Sequence, residues 1–193
     1  HNMYHNPIVQ DNIQKLERFG YEMIAPDRGM LANGDDGDGR MPEPEVLFEY
    51  ILRELAFEKD LAGKNVLVTA GATMEAIDPV RYITNHSSGK MGCAVAKAAM
   101  QRGAKVTLVA GHMEVLPPMF VDVVNVKSAA DMFEAVTKLA PEQDIIVKAA
   151  AVADYTPVAV ADNKIKKSDD DMKIELKRTQ DILGYLGQHK RDG

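Results

Sequence analysis

Two kinds of apolar pattern share this chain. The first has helical spacing. Ile13, Leu16 and Phe19 fall on one face of residues 10–19, with Gly20 as a stop. Val46, Leu47, Tyr50, Ile51 and Leu55 form a stripe that predicts a helix over 43–57, with Pro44 suited to its first turn. Met91, Val95 and Ala98 sit at i, i+4, i+7 after Ser87 or Ser88 as a cap, and Gly103 closes that helix. Ser128 caps a fourth, carrying Met132, Phe133, Val136 and Leu139. The second kind is the short continuous apolar run of a buried strand. Such runs occupy 65–70, 105–110, 121–126 and 144–150, and 21–25 reads as a shorter strand. Residues 27–41 are rich in Gly and Asp and read as a loop. Residues 58–64 are polar and read as a linker.

From residue 65 the order strand, helix, strand, strand, helix, strand implies an α/β fold, a parallel sheet with covering helices. Ligands in such sheets bind beyond the carboxyl ends of the strands. The segments there are 71–87, the stretch from Gly111 and the stretch from Ala151. The first is long for a connection, a length that often marks function. The tail alternates polar and apolar residues over 164–167 and 172–176 around an acidic turn, which predicts a β-hairpin flap.

The formal net charge of −6 over 193 residues argues against a general nucleic-acid surface, although a local cationic site can still hold one nucleotide. A single cysteine, Cys93, excludes an intrachain disulfide and fits a reducing compartment. It sits in an apolar helix, as a small packing residue would. No apolar run is long enough for a membrane span, and no signal peptide is visible. His1 and His5 alone do not make a metal site. The chain opens on His1 and reads as a fragment from its first residues.

Three constellations carry candidate chemistry. In residues 69–92, Gly71 lets backbone approach a ligand, and Ser87, Ser88 and Gly89 place small residues at a helix N-terminus, where free N–H groups attract anions. Arg81 and Lys90 add charge. The bland alternative is a structural loop with an ordinary serine cap. In Lys148-Ala-Ala-Ala-Val-Ala-Asp154, small residues leave room for a base or ribose, and Asp154 can accept from hydroxyls or an amine. A plain core strand with a capping Asp reads the same way. In Lys164-Ile-Lys-Lys167 two ammonium groups share a side and suit a triphosphate, or else form a solvated charge run. A dinucleotide site is a poor match, since Gly71 stands alone after its strand and the next strand ends in Ala110-Gly111 without an acid.

Taken in order, Asp78-Pro-Val-Arg-Tyr-Ile-Thr-Asn-His-Ser-Ser-Gly-Lys-Met-Gly92, Ala149-Ala-Ala-Val-Ala-Asp-Tyr155 and Lys164-Ile-Lys-Lys167 closely resemble bacterial phosphopantothenate–cysteine ligase, over about residues 62–193. The resemblance implies a Rossmann-like sheet with helices on both faces. It also implies a two-step reaction in coenzyme A biosynthesis: CTP activates phosphopantothenate as an acyl-cytidylate, and cysteine then displaces CMP. Mg2+ would shield the triphosphate. On the matched positions, Asn85 would donate to the acyl oxygen, Arg81 would support that region and His86 would position the loop. Lys164 would meet the triphosphate, and Lys148, Ala149, Ala150 and Asp154 would line the cytidine site. Gly71, Ser87, Ser88 and Gly89 complete the expected CTP contacts.

In that family the ligase follows a flavin-dependent decarboxylase. Residues 1–57 resemble the C-terminal end of its flavodoxin-like, FMN-binding domain, and 58–193 would be the ligase domain, cut before its end. The substrate clamp would comprise Asn33, Gly34, Gly37, Gly39, Arg40 and Met41, with Asn33 where the catalytic cysteine is expected. An amide cannot replace a thiol as proton donor, so this chain is not expected to decarboxylate. The resemblance further implies small-molecule substrates only, a homo-oligomer in the whole protein, with paired ligase domains, and a cytoplasmic location. The competing readings are an NAD(P)-dependent oxidoreductase on a similar fold and a non-catalytic nucleotide-binding remnant.

Overall fold

The computed structural model describes residues 2–167 and 171–190. The chain divides into two compact units, His1–Leu52 and Arg53–Gly193.

In the first unit α1 spans Pro7–Arg18. Asn6 caps it by accepting from the Ile8 N–H, and Pro7 takes the first position, where a missing N–H costs nothing. The expected strand at 21–25 is irregular instead. The expected loop at 27–41 contains an antiparallel hairpin, β1 (Asp27–Met30) with β2 (Asp36–Arg40). Gly and Asp disfavour strands, so side chains gave no sign of it. Helix α2 (Pro44–Leu55) follows.

The second unit is built on a four-stranded sheet of β3 (Asn65–Ala70), β6 (Lys105–Ala110), β7 (Asp122–Asn125) and β8 (Ile145–Lys148). Its order is β7-β6-β3-β8, with every pairing parallel. Successive residues of a strand face opposite sides. Val66, Val68, Ala70, Val106, Leu108 and Ala110 therefore meet Ala96, Ala99 and Met100 of α3 (Lys90–Gln101). Leu67 and Val109 face the other way, onto Met132 and Val136 of α4 (Ala129–Leu139) and Ile182 of α5 (Ile182–Gln188). Covering on both faces is why β3 reads as an apolar run rather than an alternating one. Helix α4 has the expected Ser128 cap, made reciprocal by Asp131. Helix α3 departs from expectation. Its cap is Gly89 in the left-handed region, with no side-chain cap bond, and Ser88 only approaches the Lys90 N–H at 3.5 Å.

Two small antiparallel pairs complete the unit. The 71–87 connection folds into β4 (Met74–Ala76) with β5 (Tyr82–Thr84). In the tail, β9 (Tyr155–Pro157) pairs with β10 (Leu176–Arg178). The tail's antiparallel pair is thus present, but its strands bracket the alternating stretch instead of forming within it. Residues 164–167 and 171–175 carry no strand, and the acidic turn at 168–170 lies outside the described residues.

Candidate functional site

The chain leaves β3 at Gly71 and passes between the segments that follow β6 and β8. Ala72 bridges His112 on one side and Ala151 on the other. Its N–H donates to the His112 carbonyl at 2.9 Å, and the His112 N–H donates back at 2.8 Å. Two glycines permit this approach. A Cβ on Gly71 would stand 2.4 Å from the His112 oxygen, and Gly71 has φ +78°; a Cβ on Gly111 would stand 2.4 Å from the Ala72 oxygen. In the same region, a Cβ on Gly89 would meet Met113 Cγ at 2.6 Å, and one on Gly92 would meet Ala70 Cβ at 2.5 Å.

Buried threonines fix the alanine-rich segment. Thr69 Oγ1 accepts from the Ala149 and Ala150 N–H groups at 3.2 Å each, and Thr73 Oγ1 accepts from Ala153 N–H at 3.0 Å. Thr179 then ties the tail to the segment, its hydroxyl donating to the Ala153 carbonyl and its N–H to that of Asp154. The result is a pocket of about 430 Å³ lined by Lys148, Asp154, Tyr155, Thr179, Gln180 and Asp181, among others. Asp154 is exposed. Burial pushes the Lys148 ammonium below its ordinary pKa, and Asp181 partly opposes that shift. Sequence reading missed Thr179 and Asp181. The signal available was Asp181 followed by Ile182 and Leu186, an N-cap with an i, i+4 apolar pair.

The turn after β4 is organised by Asp78, which is 2% exposed. Its Oδ1 accepts from the Val80 and Arg81 N–H groups at 2.9 Å each. Its Oδ2 accepts from Arg81 Nε at 2.9 Å, from Arg81 Nη2 at 2.6 Å and from the Ile165 N–H at 3.1 Å. Arg81 Nη2 also donates to the Ile165 carbonyl at 2.7 Å. Burial raises the Asp78 pKa, but the Arg81 guanidinium and the three N–H donors outweigh it and hold the carboxyl well below the usual carboxylate range. With its folded pKa depressed, Asp78 stabilises the turn fully above about pH 4, the unfolded value. That contribution is lost as pH falls through the folded value. The Ile165 amide should therefore keep full protection down to about pH 4, lose it progressively below that, and leave its native resonance position only as the pH falls through the depressed folded value. Loss of protection on raising the pH from neutral would contradict this assignment.

A recess of about 1180 Å³ opens beside this turn, lined by Arg81, Lys164, Lys166, Lys167, Met172 and Glu175 among others. Another, of about 910 Å³, shares Arg81 in its wall and adds Tyr82, Lys127, Lys177 and Arg178. Glu75, 2% exposed, accepts from the Ala129 N–H at the start of α4 at 2.8 Å. Asn85 is exposed and, like Ser87, Ser88 and Gly89, stands outside these three recesses. The structure thus joins Arg81 with Lys164, and Lys148 with Asp154. It does not bring the two pairs or Asn85 into one recess. Asn33, at the exposed turn between β1 and β2, bonds its own neighbour Asp35 through Nδ2 and Oδ1.

Residues 61–193 match the model of the DNA/pantothenate metabolism flavoprotein C-terminal domain, and residues 1–56 match that of the flavoprotein family. The chain belongs to the DNA/pantothenate metabolism flavoprotein family. Among curated members, it is 48% identical to the coenzyme A biosynthesis bifunctional protein CoaBC of Haemophilus influenzae, over 97% of this chain and 47% of that one. It is also 48% identical to the CoaBC of Bacillus subtilis, over 98% and 48% respectively. The chain therefore spans about half the length of the curated relatives it matches. Among solved structures of the family, the C-terminal domain of a CoaBC superposes with TM-score 0.60 at 49% identity, over 68% of this chain and 61% of that one. A DNA/pantothenate metabolism flavoprotein from Streptococcus pneumoniae gives 0.59 at 25% identity, over 66% of each. The α/β sheet with helices on both faces is the fold these members share with this chain.

Proposed function

We propose that residues 58–193 are the nucleotide-activating part of a CTP-dependent phosphopantothenate–cysteine ligase, and residues 1–57 the end of the decarboxylase domain of a bifunctional parent. The observation that carries the reading is the Lys148 to Asp154 wall. Its backbone is clamped by Thr69, Thr73 and Thr179, and its Lys148, Val152, Ala153 and Asp154 line a recess that Arg178 and Asp181 also border, with Ala149 and Ala150 outside that lining. Such a wall suits a ribose and an amino-bearing base.

In the first step the phosphopantothenate carboxylate attacks the α-phosphorus of CTP. The bond to the β-phosphate oxygen breaks and pyrophosphate leaves. Lys164, whose ammonium is exposed beside Arg81, neutralises charge on the triphosphate. Mg2+ would arrive on the phosphates, its usual ligands together with one or two carboxylates. In the second step the cysteine nitrogen attacks the acyl carbon, CMP leaves and the nitrogen releases a proton. Asn85 Nδ2–H donates to the acyl oxygen as charge develops there. Asn85 is exposed on the stretch between β5 and the Gly89 cap, open to a ligand. Gly71, Ser87, Ser88 and Gly89 shape the backbone around that stretch.

FMN belongs to this reading only as a cofactor of the parent. At the turn where the family's clamp carries a thiol, this chain has an amide, Asn33, bonded to Asp35. That donor set does not fit decarboxylation, and no such step follows from this chain. The substrates are small molecules, and the reading places the protein in the cytoplasm as part of a homo-oligomer. Among the described residues, no helix is long and apolar enough to cross a membrane.

Titration of the chain with CTP, ATP and NADPH tests the proposal. Saturable binding of CTP is expected, weaker binding of ATP and none of NADPH. Lys164→Gln should weaken CTP binding by about tenfold, in line with the loss of one charge-assisted contact, and leave the thermal transition unmoved. Preference for NADPH would favour the oxidoreductase, and no nucleotide binding at all a non-catalytic remnant.

A further inference from the structure

The Asp78 carboxylate is nearly inaccessible, yet it ends on five N–H donors from two distant parts of the chain. Four come from its own turn. The fifth, from Ile165, lies 87 residues downstream. Arg81 completes a ring, since the Nη2 that donates to Asp78 also donates to the Ile165 carbonyl. Both backbone groups of Ile165 are thereby held by one ion pair. A second tie lies close by, where the Ala161 N–H donates to the Ile77 carbonyl at 3.0 Å. Between β9 and β10 the described chain has no strand partner of its own. These contacts to the turn after β4 are what give the segment around Lys164 a defined place.

We propose that Asp78 is a positioning residue: through Arg81 and the Ile165 amide it clasps the Lys164-bearing segment to the turn after β4 and so fixes where the lysine ammonium is presented. Asp78 touches no substrate in this scheme. Its effect passes through Arg81 and Ile165, and it rests on the reading of Lys164 as a triphosphate contact. A carboxylate is required at this point. An amide at 78 could still accept the two N–H groups of Val80 and Arg81 through its oxygen. Its NH2 would then face Arg81 and the Ile165 N–H, donors against donors. The ring would open on the Ile165 side while the turn persisted. Arg81→Lys acts from the other partner. A lysine keeps the charge but loses the planar fork that reaches both Asp78 and the Ile165 carbonyl.

The test uses this chain unmodified, as Asp78→Asn and as Arg81→Lys. Hydrogen exchange at the Ile165 and Ala161 amides and tryptic cleavage after Lys164 report on the clasp. Exchange at the β3 amides reports on the sheet, and CTP titration reports on the lysine. Asp78→Asn should speed exchange at Ile165 and cleavage after Lys164 by about tenfold, the consequence of losing roughly one charge-assisted bond. The β3 amides should stay protected, and CTP should bind more weakly by a similar factor. If Asp78→Asn loses the sheet as well, Arg81→Lys, which leaves no buried charge unpaired, decides by the same readouts. Unchanged exchange at Ile165 in the folded variant would overturn the clasp. Faster exchange with unaltered CTP affinity would overturn the positioning role. Failure of the unmodified chain to bind CTP would instead sink the ligase reading, and the exchange data would still decide the clasp.

Discussion

Gly71→Ala is expected to cost about 3 kcal/mol or more of folding stability, measured by denaturant unfolding. Two penalties act together. A non-glycine residue in the left-handed region costs about 1–3 kcal/mol. The new Cβ would also stand 2.4 Å from the His112 carbonyl oxygen, a backbone atom that cannot turn aside. Relief requires moving the crossing at which Ala72 is bonded to His112 and bridged to Ala151. The alanine-rich wall should shift with it, so any variant that still folds should lose nucleotide affinity. A stability change below about 1 kcal/mol would show that Gly71 tolerates a side chain and that the crossing is soft.

In the bifunctional parent that the ligase reading implies, Asn85→Asp is expected to slow amide formation by at least about 100-fold, the scale for removing one donor at a developing oxyanion. CTP-dependent release of pyrophosphate should continue for at least one turnover. Exposure of Asn85 makes the substitution mild for the fold, so loss of activity could not be ascribed to unfolding. Quenched-flow separation of the two steps is the measurement. An unchanged rate of amide formation would remove Asn85 from the mechanism. Equal loss of both steps would move its role to activation.

The elements legible in the sequence were those whose side chains announce their neighbours. The buried runs of β3 and β6 need cover on both faces, and Ser128 stands as a cap directly before the apolar stripe of α4. The β1–β2 hairpin was hidden because its Gly and Asp residues owe their pairing to backbone bonds. The strands β4, β5, β9 and β10 are three residues each and take their places from tertiary contacts. Helix α5 carries Gly184 and Gly187, which masked its short apolar stripe. The site residues came from resemblance to a motif, whereas the groups that hold them, Thr69, Thr73 and Asp78, needed coordinates. A buried threonine in an apolar run looks like any other β-branched residue until its hydroxyl partner is seen. Asp78, three residues before Arg81 and followed by Pro79, was closer to readable as a side-chain-capped turn.

Placement of β3 inside the sheet has a consequence for the order in which the molecule can assemble on the ribosome. It is the first strand of the sheet to be made, yet it ends between β6 and β8, the latter paired to it from Ile145 onward. Pairing with β6 can begin once residue 110 has emerged, leaving the other edge of an almost wholly apolar strand unpaired for some thirty-five further residues. An open apolar edge is a template for foreign strands. The nascent chain therefore carries an open β3 edge until β8 has been made.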